Sequence, residues 1–246
     1  MAHSSTPMRF SAHEIVYRQD QIDRRRGFLR DVLMRGIGFN LLVNVTVIDA
    51  DRVPDEGPLL VVMNHLAAID PFVVVGAVRN RYIVPMSKVE NTQHPIIGLM
   101  AKAWGAYPVR RGEVDRQAIA TTLELMRQGR AVLIAPEGTR SPALQEAKHG
   151  MAYLATKGDA IVLPVGIEGT DRFPGTLLRL RRTPITLRFG VPFRFKTSGN
   201  TRIPRDELHL MTQEAMYQLA ALIPEHRRGV YADLSKATTD TLQFLG

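Results

Sequence analysis

The sequence predicts an α/β fold: a single domain with a largely parallel twisted sheet flanked by helices, plus an N-terminal amphipathic helical segment. Short, continuous apolar runs at residues 59–63 and 131–135 are typical of strands buried on both faces of a sheet. Segments with helical periodicity, such as residues 114–128, alternate with these runs, and that alternation favours a parallel sheet. The length of 246 residues, with 45% hydrophobic and 23% charged residues, suffices for one large domain with a sizeable core.

The predicted elements follow one another without a break between domains. Predicted strands cover residues 41–49, 59–63, 82–85, 131–135, 161–167 and 185–189, and predicted helices cover residues 95–103, 114–128, 151–156 and 206–222. We expect Gly129, Gly158 and Pro224 to end three of these helices. Since the sequence contains no repeat, low-complexity tract or linker, we predict an N-terminal arm and basic amphipathic helix over residues 1–40 and one α/β domain over residues 41–246.

The N-terminal segment has the spacing of an amphipathic basic helix. Three arginines precede apolar residues at helical intervals: Arg24, Arg25 and Arg26, then Phe28, Leu29, Val32, Leu33 and Ile37. We expect Gly36 and Gly38 to end this helix. Two interpretations remain open. The apolar stripe packs on the core, or it lies in a membrane interface with the arginines among anionic headgroups.

The chain is strongly basic, with 32 Lys and Arg against 24 Asp and Glu and a formal net charge of +8. This balance favours anionic partners such as phosphorylated molecules, acidic carrier proteins, anionic membranes or nucleic acid. The absence of cysteine excludes disulfides, thiolate metal sites and a thiol nucleophile. No apolar run approaches the ~20 residues of a spanning helix, and residues 1–6 lack a signal-peptide core. We therefore predict a protein without a transmembrane span, in the cytosol or peripheral on the cytoplasmic face of a membrane.

Two titratable residues follow the predicted strand over residues 59–63. His65 and Asp70 are separated by four residues across the expected strand-to-helix turn. A carboxylate that accepts from one imidazole nitrogen fixes the tautomer and leaves the other nitrogen free as a base for a hydroxyl. The alternative is structural, because Asp70-Pro71 is also typical of a helix N-cap followed by proline at the first helical position. Both interpretations stay open on this pair alone.

A second polar cluster, Pro136-Glu137-Gly138-Thr139-Arg140-Ser141, follows the predicted strand over residues 131–135. Gly138 permits a tight turn, and Arg140 offers a planar cation that suits a phosphate. The alternative is a surface turn with a solvated Glu137–Arg140 pair.

A third cluster, at residues 105–112, is predicted to be a loop between helical segments. It carries Arg110 and Arg111 beside Tyr107. Paired arginines usually lie on a solvated face, so they bear on function only if the fold brings them near His65. Ligands bind outside the carboxyl ends of the strands in open α/β sheets, and two of the three clusters follow predicted strands.

Together the three clusters resemble the motifs of the glycerophospholipid acyltransferase family. The resemblance covers roughly residues 55–195, and the motifs occur in the family's order. Asn64-His65 through Asp70-Pro71 resembles the first motif, Gly105 through Arg110 the second, Pro136 through Ser141 the third, and Ile161 through Val165, with its central proline, the fourth. The third motif is highly specific, and the ordered set makes a chance match improbable.

The resemblance implies transfer of a fatty acyl group from acyl-CoA or acyl-carrier protein to the hydroxyl of a lysophospholipid, with 1-acylglycerol-3-phosphate the expected acceptor. It implies that His65 takes the proton of the acceptor hydroxyl and that Asp70 orients His65. The residues expected to hold the acceptor's polar end are Arg110, Glu137, Gly138, Thr139 and Arg140. No bound cofactor or metal is implied. The chain's lack of cysteine agrees with direct transfer without a thiol acyl-enzyme, and an anionic membrane surface is an expected partner.

The sequence departs from the family pattern at two places. Ala135 stands where many members have an aromatic residue, and Ala147-Lys148-His149-Gly150 stands where Lys-Lys-Gly is common, so the role of Lys148 stays open. Two alternatives therefore remain: a different lipid or alcohol acceptor, or a non-catalytic module that binds anionic lipid on the same fold. Arg179, Arg181 and Arg182 lack interleaved aromatic residues, which favours a solvated or lipid-facing patch over nucleic-acid binding.

Overall fold

The computed structural model describes residues 19–110, 112, 114–197 and 203–245. Its strands are β1 (Val43–Ile48), β2 (Leu59–Met63), β3 (Ile83–Lys88), β4 (Tyr107–Val109), β5 (Ala131–Ile134), β6 (Ile161–Glu168), β7 (Thr183–Phe189), β8 (Phe193–Phe195) and β9 (Leu242–Phe244). They form one sheet in the order β1-β7-β6-β2-β5-β3-β4, and β8 pairs with β6 and β9. Most pairings are parallel, while β6–β7, β6–β8 and β8–β9 are antiparallel. The predicted α/β fold with a largely parallel sheet is confirmed.

Helices cover both faces of this sheet. They are α1 (Gln19–Phe28), which continues as a π-helical segment (Leu29–Leu42), then α2 (Asp70–Ala77), α3 (Pro95–Trp104), α4 (Arg116–Arg127), α5 (Gly150–Lys157) and α6 (Arg205–Ala220). On one face, α4, α5 and α6 bury Leu125, Met151 and Met216. On the other, α2 and α3 bury Val74 and Trp104. The sheet therefore separates two apolar cores, as the continuous apolar sequence of β2 predicts.

Three short strands differ from the sequence prediction. β4 lies where a loop was expected, and β8 and β9 fall in segments for which no element was predicted. Each contains only three residues, so hydrophobic periodicity cannot identify it. β4 forms because its backbone pairs in parallel with β3 at the sheet edge.

The N-terminal helix does not end at the predicted glycines, and that expectation was wrong. It passes Gly36 and Gly38 and ends at Leu42, with π-helical geometry from Leu29. The Asn40 side-chain amide donates to the carbonyl oxygens of Arg35 and Gly36, at 3.0 and 3.1 Å. This amide supplies hydrogen bonds inside the widened turns, which allows the helix to continue through two poor helix formers.

Arg26, Arg30 and Arg35 of this helix face the protein body, and most of its apolar stripe faces away. Arg26 is fully buried. Arg30 donates to the carbonyl of Arg79 at 2.9 Å, and Arg35 donates to that of Gly76 at 3.0 Å. The exposed apolar residues are Phe28, Val32, Leu33, Ile37, Leu41 and Leu42. Packing of the whole stripe on the core was therefore a wrong interpretation, because carbonyls at the C-terminal end of α2 attract the cations instead.

Within the part of the chain that the structure describes, no helix has the length and apolar character needed to cross a membrane. Residues 1–18 of the predicted N-terminal arm lie outside the described residues.

Candidate active site

The predicted polar clusters all follow strands at the carboxyl end of the sheet. β2 and β5 are parallel neighbours, and β3 lies parallel between β5 and β4. His65 follows β2, Glu137 follows β5 and Arg110 follows β4. Because the carboxyl ends of parallel strands meet at one edge, the topology brings together residues that lie far apart in the sequence.

His65 and Asp70 form a buried hydrogen-bonded pair. Nδ1 of His65 lies 2.8 Å from Oδ2 of Asp70, and Asp70 is fully buried as the first residue of α2. The same oxygen accepts from the backbone N–H groups of Leu66 and Ala67, at 2.6 and 2.8 Å. Since an ionised carboxylate can only accept, we assign the ring proton to Nδ1, and Nε2 then carries a free lone pair. The pairing suits general-base chemistry, and its catalytic role stays a prediction.

Asn64 fixes the end of β2, a role for which sequence reasoning made no prediction. Its side-chain amide donates to the carbonyl of Ile167 at 2.9 Å and its amide oxygen accepts from the Ile167 N–H at 2.8 Å. The carboxamide thus extends the pairing of β2 with β6 by one residue. An asparagine directly after a continuous apolar strand was the available signal. The contact holds the backbone on which His65 is mounted.

The Pro136–Ser141 segment lies directly against His65. The N–H of Ser141 donates to the carbonyl of His65 at 2.9 Å. Glu137 accepts from the N–H of Gln145 at 2.8 Å and from the backbone N–H of His65. Glu137 therefore braces the loop that carries His65. Its predicted contact with the acceptor stays a prediction.

Burial makes the Glu137 carboxyl a weaker acid than an exposed glutamate. Desolvation raises the pKa of its carboxyl from 4.5 to about 7, although the two backbone hydrogen bonds, from Gln145 and His65, favour the ionised form. At neutral pH this group is therefore poised between its two protonation states.

Arg227 fixes the segment that follows the third motif, and nothing in its local sequence indicated this. Its guanidinium forms two hydrogen bonds to Glu168, at 2.8 and 3.0 Å, and one to Asp171 at 2.6 Å. It also donates to the carbonyl of Pro142 at 2.9 Å. These contacts raise the pKa of Arg227 above its usual range. The C-terminal segment thereby holds the loop next to Ser141.

His65 and Arg140 line one cavity, as the prediction of a common cleft requires. It is a narrow slot of about 50 Å³. Its apolar walls include Phe72, Val75 and Trp104. The slot therefore has an imidazole and a guanidinium in its lining beside apolar side chains.

Arg110 and Gly138 line a second cavity, of about 310 Å³. Lys148 contributes to its wall, and Met86 lines both cavities. Gly138 adopts a φ of 70°, which a side chain would disfavour, and a Cβ there would lie 3.6 Å from the ammonium of Lys148. Gly138 thus turns the backbone next to Lys148, which lines the same cavity as Arg110.

The remaining predicted residues are placed as follows. Thr139 is exposed and lines neither of these two cavities. Arg111 lies outside the described residues. Among the residues described, no group of three or more His, Asp and Glu side chains is arranged to hold a metal ion.

Comparison with known proteins finds a matching family model and similar curated sequences. The model of a family described as Acyltransferase matches residues 44–168. A 1-acyl-sn-glycerol-3-phosphate acyltransferase of Borreliella burgdorferi is 25% identical over 135 residues, covering 53% of this chain and 54% of the relative. The enzyme of the same name from Bacillus subtilis is 27% identical over 125 residues, covering 51% and 63%. The match thus spans little more than half the length of these curated relatives.

A solved structure shares the fold. The crystal structure of the 1-acyl-sn-glycerophosphate (LPA) acyltransferase PlsC from Thermotoga maritima superposes with a TM-score of 0.56. The two chains are 21% identical, and the match covers 95% of this chain and 86% of the other. At that identity the likeness establishes the architecture alone.

Proposed function

The chain belongs to the acyltransferase family, and on that premise we propose that it transfers a fatty acyl group from a thioester to the hydroxyl of 1-acylglycerol-3-phosphate. The observation that carries the proposal is the buried His65–Asp70 pair, whose histidine shares a cavity with Arg140. An imidazole braced by a carboxylate is a base for a hydroxyl, and a guanidinium suits a phosphate-bearing acceptor. The names of the curated relatives support the same acceptor.

In the proposed reaction, Nε2 of His65 accepts the proton of the acceptor hydroxyl while the oxygen attacks the thioester carbonyl carbon. A C–O bond forms and the C–S bond breaks. The imidazolium then returns its proton to the leaving thiolate, so that the products are an ester and a free thiol. Asp70 holds Nδ1–H and stabilises the positive charge that develops on the ring.

The acceptor's phosphate is assigned to the cations at the two cavities. Arg110 and Lys148 line the larger one, and Arg140 lies at the mouth of the slot with His65. Gly138 lines the larger cavity beside Lys148. A phosphate bound there would direct the glycerol hydroxyl toward His65.

The donor is assigned to acyl-CoA or acyl-carrier protein as a co-substrate, with no bound cofactor. The apolar walls of the slot, including Phe72 and Trp104, suit the acyl chain next to the thioester. Both carriers are acidic, and the formal charge of +8 on this chain favours their approach.

We assign the chain to the cytoplasmic face of the membrane as a peripheral protein. The exposed apolar residues of the N-terminal helix, among them Val32 and Ile37, suit insertion at the bilayer surface. Arg24 and Arg25 are exposed on the same helix and suit anionic headgroups.

An acceptor panel tests the proposed reaction. The purified chain is incubated with long-chain acyl-CoA or acyl-carrier protein, and free thiol is measured with 1-acylglycerol-3-phosphate, glycerol-3-phosphate or other lysophospholipids. We expect thiol release that depends on 1-acylglycerol-3-phosphate and is matched by diacyl product. Release with another acceptor would correct the substrate, and binding of acceptor vesicles without thiol release from either donor would show a non-catalytic lipid-binding module.

A further inference from the structure

The connection between β6 and β7 carries two leucines that contribute nothing to the core. Leu178 and Leu180 are 89% and 97% exposed, more than any other large apolar residue of the described chain. They belong to residues 170–182, which we call the β6–β7 loop. Isolated exposed apolar residues are common, but two almost fully exposed leucines separated by a single residue form a local apolar tip.

The β6–β7 loop is a fixed projection. Thr170 at its base is fully buried, and Phe173 packs against the core beneath α2 and α3. The N–H groups of Leu180 and Arg181 donate to the carbonyls of Leu177 and Thr176, at 2.9 and 3.1 Å. The tip therefore keeps its leucines in solvent by its backbone hydrogen bonding.

Leu180 occupies a backbone conformation that its side chain disfavours. Its φ is +54°, in the left-handed region where glycine is the usual residue after a helical turn. A leucine here is strained and gains no burial in exchange. Such a side chain can be buried only by contact with another molecule.

Cations surround the apolar tip. The loop contains four arginines and one aspartate, and the aspartate, Asp171, is paired with Arg227. Arg172, Arg179 and Arg181 are exposed. Apolar side chains flanked by exposed arginines match a surface that combines hydrocarbon with negative charge, which an anionic bilayer provides.

Arg182 joins this loop to the end of the N-terminal helix. Its guanidinium donates to the carbonyl of Phe39 at 2.6 Å and to that of Val43 at 3.0 Å. The exposed residues Ile37 and Leu41 lie on that end of the helix. The C-terminal end of the loop therefore adjoins the end of the helix that carries these apolar residues, although about 140 residues separate them in the sequence.

We propose that the β6–β7 loop is a second membrane-contacting element, in which Leu178 and Leu180 enter an anionic bilayer while Arg179 and Arg181 bind its headgroups. This inference extends the peripheral membrane assignment made above. It does not depend on which acceptor is acylated. Two contacts from different parts of the chain would fix the orientation of the domain on the membrane, which one helix alone cannot do.

Vesicle binding by the full chain tests the loop. Co-sedimentation is measured with phosphatidylcholine vesicles, with or without phosphatidylglycerol, at low and high salt. Leu178→Ser should weaken binding to the anionic vesicles about tenfold, since it removes the transfer of one leucine side chain. Arg179→Gln and Arg181→Gln should each weaken it about fivefold at low salt and much less at high salt.

Leu180→Gly separates membrane contact from folding. Glycine suits the positive φ, so this variant should keep or slightly raise the midpoint of thermal unfolding while it weakens vesicle binding. Leu210→Ser is the matched control, because Leu210 is an exposed leucine of α6 on the other face of the sheet. Binding by this control should equal that of the unaltered chain.

Three results would overturn the inference: no binding of the unaltered chain to anionic vesicles, equal binding by all loop variants, or a self-associated state that Leu178→Ser dissociates without an effect on vesicle binding. Thiol release with detergent-dispersed acceptor distinguishes these results from failure of the proposed reaction. Loop variants that retain such release but lose vesicle binding support the loop contact. If release is absent from the unaltered chain as well, the proposed function fails while the vesicle result still decides the loop.

Discussion

Oδ2 of Asp70 lies 2.8 Å from Nδ1 of His65 and accepts two backbone N–H groups besides. The same oxygen thus orients the imidazole and closes the turn that carries it. The expected N-cap position was wrong by one residue, because Ile69 is the N-cap and Asp70 is the first residue of α2. The same Asp70 is nevertheless the partner of His65. A structural requirement and a chemical one meet in a single carboxylate.

Replacement of His65 by alanine tests the proposed base. We expect kcat for thiol release to fall about 10³-fold, because positioned general bases contribute typically 10²–10⁴-fold. The midpoint of thermal unfolding should stay close to that of the unaltered chain. His209→Ala is the control, because His209 is an exposed histidine of α6. Near-normal acceptor-dependent release by His65→Ala would exclude the mechanism.

Asp70→Asn tests the contribution of the Asp70 charge. Because Oδ2 makes all three contacts, an amide oxygen in its place can still accept from Leu66, Ala67 and Nδ1–H of His65, so the turn and the ring orientation should survive. The neutral amide cannot stabilise the positive charge that develops on the imidazole as the carboxylate does. We expect kcat to fall roughly 10²–10⁴-fold with little change in KM. Unchanged kcat in a folded variant would contradict stabilisation of the imidazolium by Asp70.

The elements and residues near β2 could be predicted from the sequence for a simple physical reason. A five-residue apolar run that is buried on both faces leaves little choice of structure, and a histidine at its end stands out. The observed strand, Leu59–Met63, has the predicted bounds. The pairing of His65 with Asp70 is local, and short-range spacing could anticipate it.

Long-range polar contacts could not be predicted from the sequence in the same way. Periodicity shows that the N-terminal helix has two faces, but it cannot show that Arg35 finds the carbonyls ending α2, 41 residues away. Arg227 likewise meets Glu168 across 59 residues. In sequence these arginines resemble any surface cation, since burial is decided by packing that no spacing rule contains.

The acidity of Glu137 predicts a pH-dependent stability. Burial raises the pKa of this carboxyl from 4.5 to about 7, so between these values the folded state binds more protons than the unfolded state. The free energy of unfolding should therefore fall as pH rises through this range, by about 3 kcal/mol at most. Above the folded pKa the contribution is lost and the dependence levels off.

Glu137→Gln should remove that dependence while an amide oxygen still accepts from Gln145. Urea denaturation of the variant and the unaltered chain, compared between about pH 5 and about pH 8, measures the difference in slope. Glu146→Gln is the control, because Glu146 is exposed nearby. Equal slopes for the unaltered chain and Glu137→Gln would show that this carboxyl titrates normally.

Removal of Arg227 should destabilise the fold and disturb the site. Arg227→Met leaves Glu168 and Asp171 without their cation, and we expect a loss of about 2 kcal/mol in the free energy of unfolding, discounted for partial exposure. Arg194→Met is the control, because Asp159, its partner, is 93% exposed. Equal losses in urea denaturation would show that Arg227 is an ordinary surface residue. Arg227→Lys should recover only part of the stability, since an ammonium cannot bind both carboxylate oxygens of Glu168 in the same planar geometry.

Arg110 and Lys148 should act on acceptor affinity rather than on the chemical step. If they hold the phosphate, Arg110→Gln and Lys148→Gln should raise KM for 1-acylglycerol-3-phosphate about tenfold each, the loss expected for one charge-assisted contact, with kcat less affected. KM for the acyl donor should stay unchanged.

Arg116→Gln provides the control, because Arg116 is an exposed arginine of α4 that does not line the cavity. An acceptor without phosphate should show no difference between these variants and the unaltered chain. Unchanged KM in both site variants would move the phosphate to Arg140, where the same substitution would then raise KM.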